Sequence, residues 1–455
     1  MTAPPTASPP HDAYAALRVP NYRDYLIGSF LALLGRQAVS AVAIWQVYQW
    51  THSSTALGLV GLVNVLPLLG LSLPAGALAD RYDRKRLIAL GTAVVATLNV
   101  ALAALSFWHA AVPDLPPLRW ANNLFRHTAL FFEHHVEPDA LQFDQPALPL
   151  IFLLLGASSC IRSLLWPARA SITPLLVPAP ALSNAITWST SAFEIATMTG
   201  PAIGGFVVAF ADFPVVYALG AALEIMFLLL LRPIRYLHVP AARTAVQRSW
   251  GDVFAGAKFI WRKKVILGAS TLDLFAVLLG GAVALLPVYA DQILHVGPIG
   301  FGWLRAAPSL GAFAMAMWLA HRPPLTRPGF ALLWSVAGFG AAIVVFGLST
   351  WFWLSLVALF ITGACDNVSV VIRQSLVQLL TPDALRGRVT AVNQIFIGSS
   401  NEIGALRAGL MAAVFGPVAA VVWGGLGTIA VTAAITRIVP ALRRLPALHT
   451  LRPDT

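Results

Sequence analysis

The sequence predicts an all-α membrane protein with twelve transmembrane helices in two similar six-helix bundles. Three observations predict it. First, 58% of the 455 residues are hydrophobic and 11% are charged, at a mean hydropathy of +0.75. Soluble domains carry about 25% charge, and none buries this much apolar side chain. Second, apolar stretches long enough to cross a bilayer recur along the chain. Third, the basic residues fall in alternate connecting segments. The composition excludes an ordinary soluble enzyme and a disordered chain. Two cysteines, Cys160 and Cys365, are too few for a disulfide scaffold.

Residues 1–13 are Pro-rich, lack Lys and Arg, and have no apolar core of a signal peptide, so a disordered tail is expected there. The spans are expected at 24–50, 56–79, 87–111, 148–168, 184–211, 214–232, 265–290, 299–320, 329–349, 351–372, 389–414 and 417–437. Interior prolines such as Pro67, Pro201 and Pro287 are tolerated because neighbouring helices re-satisfy the freed backbone. Trp50, Trp108, Trp250, Trp351 and Trp353 fall near span ends, as interfacial anchors do.

A formal charge of +11 points either to nucleic acid or to one-sided loops. With the N-terminus in the cytoplasm, 24 of the 30 Lys and Arg fall in cytoplasmic segments, and two, Arg119 and Arg126, in external ones. That asymmetry puts both termini inside. Spread over seven segments, the base offers no nucleic acid a continuous surface.

Four functional stretches follow: a six-helix bundle over 14–232, a cytoplasmic linker over 233–264, a second bundle over 265–438 and a cytoplasmic tail over 439–455. Within the linker, Ser249–Lys264 has an amphipathic pattern, suiting a helix on the inner leaflet or a structured connector. An offset of 204 aligns Arg169 with Arg373, Pro178 with Pro382, Gly200 with Gly404 and Gly205 with Gly409. Two bundles of equal orientation form a parallel repeat.

The segment after span two reads GALADRYDRKR, Gly76–Arg86. It resembles the signature of the major facilitator superfamily, with Gly76, Asp80, Arg81, Arg84 and Lys85 matching and Asp83 in place of the second glycine. That replacement, with AIWQVYQWT (Ala43–Thr51), GPAIGG (Gly200–Gly205), LRAAPSLGA (Leu304–Ala312) and TPDALRGRV (Thr381–Val389), is similar to the drug:proton antiporter-3 branch. The resemblance implies a bacterial inner-membrane transporter working by alternating access, with spans 1, 4, 7 and 10 lining a cavity and 2, 5, 8 and 11 at the seam. It also implies that Asp80 meets the start of span eleven near Val389, holding an inner gate shut; a plain positive-inside stop signal is the simpler reading. Gly200, Pro201, Gly204 and Gly205 are expected to pack helices closely at the seam.

An ionisable group inside a span costs about 2.5–3.5 kcal/mol on insertion scales, so each is a functional candidate. There are nine: Arg36, Arg162, Glu194, Glu224, Asp273, Arg305, Asp366, Glu402 and Arg407. All but Glu224 fall on cavity or seam spans. Glu402, Asp273, Glu194 and Asp366 are the candidates for loading and releasing a proton. Arg36, Gln37 and Arg162 are the candidates for touching substrate, Arg36 either with an anionic group or as the fixed partner of Glu194.

The external segment 112–147 contains His127, Glu133, His134, His135, Glu137, Asp139 and Asp144. Their spacing matches no closed metal site, and a solvated loop is expected. No P-loop, HExxH or GxSxG occurs, so neither ATP hydrolysis nor intramembrane proteolysis is supported. The expectation is a monomeric secondary exporter of amphipathic, drug- or siderophore-like molecules, needing no cofactor but a coupling proton, with the small-molecule substrate and the bilayer as partners. An importer of a small polar solute and a non-transporting receptor or scaffold are the alternatives.

Overall fold

A computed structural model describes residues 14–134, 136–235, 257–322 and 326–446. The described residues are helical with short connections. In chain order these helices are α1 (Pro20–Thr51), α2 (Ser54–Arg81), α3 (Arg84–Phe107), α4 (Pro116–Phe132), α5 (Leu148–Leu176), α6 (Leu182–Ala211) and α7 (Phe213–Leu231). The second half contains α8 (Lys264–Leu279), α9 (Gly297–Ala320), α10 (Pro328–Leu348), α11 (Phe352–Leu380), α12 (Asp383–Phe415) and α13 (Pro417–Ile438). Leaving out α4, these are the twelve expected spans. Ten stretches among the described residues are long and apolar enough to cross a membrane by composition alone. The helices α9 and α12 are long enough but more polar, carrying Arg305 on one and Glu402 and Arg407 on the other.

Local chemistry sets the helix ends. Pro20 starts α1, where its missing N–H is no loss. The Ser53 hydroxyl accepts from the Ala56 amide to cap α2. Asp83, the residue that replaces the signature's second glycine, accepts from the Arg86 amide to cap α3. The α6–α7 and α12–α13 turns pass through Asp212 and Gly416, at φ 86 and 82, each with a proline two or one residues later. These two turns obey the 204 offset, so the repeat extends to backbone geometry.

The expected ends differ in two places that also obey that offset. The helices α5 and α11 run on to Leu176 and Leu380, eight residues past the expected 168 and 372. Arg169 and Arg373 therefore lie inside helices rather than in cytoplasmic segments. The seventh span is not a continuous helix over 265–290. It breaks at Gly280 and Gly281, passes through a 3-10 turn at Ala282–Leu285 and ends in a π-helical turn at Tyr289–Ile293. A glycine pair followed by Pro287 explains the break. Helix-end carbonyls released by the break are satisfied: Arg407 donates to the Leu279 carbonyl, and Arg305 donates to the Val283 carbonyl at 3.4 Å.

Within the first half, α1 packs on α6 and α7, α3 on α5 and α7, and α2 on α5. In the second, α9 packs on α11, α10 on α11 and α13, and α8 on α12 and α13. The halves meet along α2–α12 and α6–α9. Segment 112–147 is not simply a solvated loop: α4 lies against α2, α5 and, across the seam, α12. Buried Glu133 accepts from the Ser53 hydroxyl at 2.6 Å and the Thr55 amide at 2.7 Å, satisfying the start of α2.

At the other end of the bundle, where the basic segments gather, the tail is partly docked. Leu442 and Leu445 pack into the core of the second half. Residues 257–262 are helical, with Ile260 buried against the same core and Trp261 exposed. Residues 249–256 of the expected amphipathic helix, Trp250, and the tail 1–13 lie outside the described residues.

Candidate functional site

The two halves close on one another at the end opposite the basic segments. There the Trp45 and Phe301 rings stack with centroids 5.0 Å apart. The Tyr48 hydroxyl donates to Asp291 at 3.5 Å and the Gln49 amide to the same carboxylate at 3.4 Å. Gly58 on α2 faces Gly409 on α12, and Gly205 on α6 faces Gly302 on α9, with no room for a Cβ at either crossing. Farther along the same pair, Gly398 on α12 still packs against the Leu68 side chain of α2.

Beside these crossings lies a cavity of about 290 Å³. Its wall is mostly apolar, with Ile44, Leu57, Phe339 and Ile343 among the lining residues. The broken part of span seven, from Gly280 to Ala284, supplies one side. Convergent polar groups are few: Ser40 and Asn64 from the first half, and Arg305, Thr362, Asp366, Asn401 and Glu402 from the second. A mostly apolar chamber with a few charged anchors is the form of a small-molecule site.

Glu402 is placed at the junction. Its carboxylate lies on the chamber wall with Asn64 and Arg305, and the charges of Arg162 on α5 and Arg305 on α9 reach it. Asn64 accepts from Arg162 at 3.1 Å. The Glu402 carboxylate therefore has one guanidinium in its neighbourhood from each half, with Asn64 of the first half on the same wall.

The other candidates divide. Asp366 lines the chamber, and the Glu194 charge reaches it from the opposite half. Asp273 is committed elsewhere, in a buried ion pair with Arg373. Arg162 borders the chamber through Asn64, whereas Arg36 and Gln37 do not line it. Arg36 faces Glu224 at 3.9 Å, not Glu194. Glu224 also faces Arg169 at 4.0 Å, and Arg169 donates to the Thr92 hydroxyl at 3.1 Å. Sequence reasoning sets Glu224 aside because its span is peripheral; the only signal for it is its apolar surroundings.

Of the glycine motif, Gly205 lies on the seam, while Gly200 and Gly204 approach α1 of their own half and Pro201 faces Gly302. In the signature loop, Gly76 is buried and Arg81 is exposed, its guanidinium 5.7 Å from the Tyr82 ring. Arg84 begins α3. Lys85 donates to the Arg232 and Ile234 carbonyls at 2.9 and 2.7 Å, capping the end of α7. The side chains of Asp80 and of Arg386–Arg388 are outside what the structure describes. Among the described residues no three His, Cys, Asp or Glu side chains gather as a metal site.

The comparisons with known proteins agree with this architecture. The family description Major Facilitator Superfamily matches residues 25–405. Enterobactin exporters of Escherichia coli O1:K1 / APEC and of Shigella boydii serotype 18 are 26% identical over 428 residues, 93% of this chain and 93% of theirs. Among solved structures, a bacterial homologue of the lysosomal transporter Spinster, inward-facing and occupied, superposes with a TM-score of 0.65 at 13% identity, covering 97% of this chain and all 100% of that one. An inward-facing bacterial homologue of the iron transporter ferroportin gives 0.61 at 16% identity, covering 92% and 99%. With its twelve-span architecture, its central chamber between two halves and a family match over most of its length, this chain is a multi-pass membrane transporter, not an enzyme, and belongs to the Major Facilitator Superfamily.

Proposed function

We propose that this protein exports amphipathic small molecules from the bacterial cytoplasm in exchange for protons. The basic end is the cytoplasmic end, with both termini there, because loops rich in Lys and Arg stay inside. The end closed by the Trp45–Phe301 stack and the two glycine crossings is then the outer end. The similarity to enterobactin exporters supports the outward direction and an amphipathic, siderophore- or drug-like cargo.

The observation that carries the coupling is the position of Glu402 between Arg162 and Arg305. Ionised, the carboxylate holds charge from both halves in one place. Protonated, it loses that attraction and leaves only hydrogen bonds, and the halves can rock apart on the inner or outer side. Alternating exposure of one titrating group thereby links proton entry to cargo exit. Asp366 and Glu194 are the second proton-carrying candidates, whereas Asp273 serves its ion pair with Arg373. Asp80 and Arg81 are the inner-gate candidates of this cycle.

Cells lacking their own efflux pumps test this. Expression is expected to lower accumulation of a fluorescent amphipath, and a proton uncoupler to restore it. An uncoupler-insensitive difference would refute coupling, and raised accumulation would favour import.

A further inference from the structure

The first half contains a second charged group, away from the Glu402 chamber. Arg36 on α1 and Arg169 on α5 share one acid, Glu224 on α7. The ion-pair distances, 3.9 and 4.0 Å, exceed hydrogen-bond length. The acid is at the back, its side chain 1% exposed, while the guanidiniums stand in front at 23% and 17%. Thr92 holds Arg169 from α3, and the Arg169 guanidinium lies 5.4 Å over the Phe227 ring. These contacts fix Arg169 in place.

The group is unbalanced. Two cations pair with one carboxylate, and the charge of a third arginine, Arg162, is answered first by Glu402 and also reaches Glu224. Arg36 Nε and Nη2 and Arg169 Nε are buried with no hydrogen-bond partner. An uncompensated guanidinium within a membrane is costly, and buried donors are normally paired. A planar guanidinium fork suits an anionic oxygen pair. Glu224 neutralises half of the charge and keeps the group stable when empty.

We infer that Arg36 and Arg169 form a subsite for an anionic group of the cargo, a carboxylate, while the Glu402 chamber takes the apolar body. This rests on the transport reading and narrows its substrate class to amphipathic anions. Glu224 is a positioning residue behind the two arginines.

The test compares dansyl-leucine, a carboxylate, with dansyl-leucine amide, its neutral twin, on the full chain in phosphatidylcholine nanodiscs. Binding is read by dansyl fluorescence and by the shift in melting temperature. The carboxylate is expected to bind about tenfold tighter, the scale of one charge-assisted pair. R36Q brings the two within about twofold without weakening the amide, and R36K keeps most of the preference. The double variant R36Q/E224Q removes one cation and one acid together, guarding against a folding defect, and is expected to lose the preference as well. Equal binding of the two probes by the unaltered protein, or an unchanged ratio in R36Q, overturns the subsite. Phosphatidylglycerol in the discs abolishing the preference would assign the site to lipid headgroups and overturn its cargo role. Uncoupler-sensitive export of the amide with no carboxylate preference leaves the transport reading standing without the subsite. A carboxylate preference with no export does the reverse.

Discussion

Gly409→Ala should tip the transporter toward its outward-open state. A Cβ at Gly409 falls 2.6 Å from the Gly58 Cα and nitrogen and 2.7 Å from the Ser54 carbonyl oxygen. Carbon contacts settle near 3.5–4.0 Å, so α2 and α12 must part by about 1 Å. Such a gap forfeits about a quarter to a half of each pair's ~0.1–0.2 kcal/mol well. Over on the order of 20 pairs along the crossing, the closed outer end loses about 1 kcal/mol, or roughly fivefold in population. The outward-open state, in which this crossing is already separated, loses nothing. The assay uses Ser40→Cys, on the chamber wall, with Cys160 and Cys365 replaced by Ser. A membrane-impermeant maleimide added outside is expected to label the G409A protein about fivefold faster than its Gly409 parent (~1.4 kcal/mol per tenfold). Equal rates from two well-folded proteins would refute the account of the crossing.

Glu402→Gln keeps the side chain's size and polarity but cannot ionise; accumulation assays at two external pH values should show residual export that no longer responds to pH. Asp273→Asn strands Arg373 as a buried cation and should cost about 3–5 kcal/mol in thermal or detergent unfolding, while the double D273N/R373Q recovers most of it. Asp83→Ala should lower stability by about 1 kcal/mol through loss of the α3 cap, whereas Asp83→Gly, which restores the signature's glycine, costs only a few tenths. Unfolding curves separate the two.

Spans, repeat and seam are legible in the sequence because hydropathy and small residues report on solvent and on close approach directly. The ends of α5 and α11 are not. Arg169 and Arg373 look like the first residues beyond the bilayer, yet each is held inside by an acid on another helix, Glu224 or Asp273. Which acid answers which arginine depends on how helices are rotated in the bundle, and a single chain's pattern does not encode that. The same reason moves Arg36 from Glu194 to Glu224. Glu133 reads as one more acid in a polar loop, because only the fold brings it over the start of α2. The break in span seven is half legible: Gly280, Gly281 and Pro287 are plain to see, but the arginines that donate to the freed carbonyls come from α9 and α12.

The clasp of Lys85 on the last turn of α7 has a mechanical corollary. The hairpin that bears the signature motif is bolted to the far edge of its own half. A tug on the gate hairpin is therefore passed to the sixth span rather than absorbed by a slack loop. The first bundle swings as one lever, and lengthening that loop should leave the cargo seat intact while the stroke goes slack.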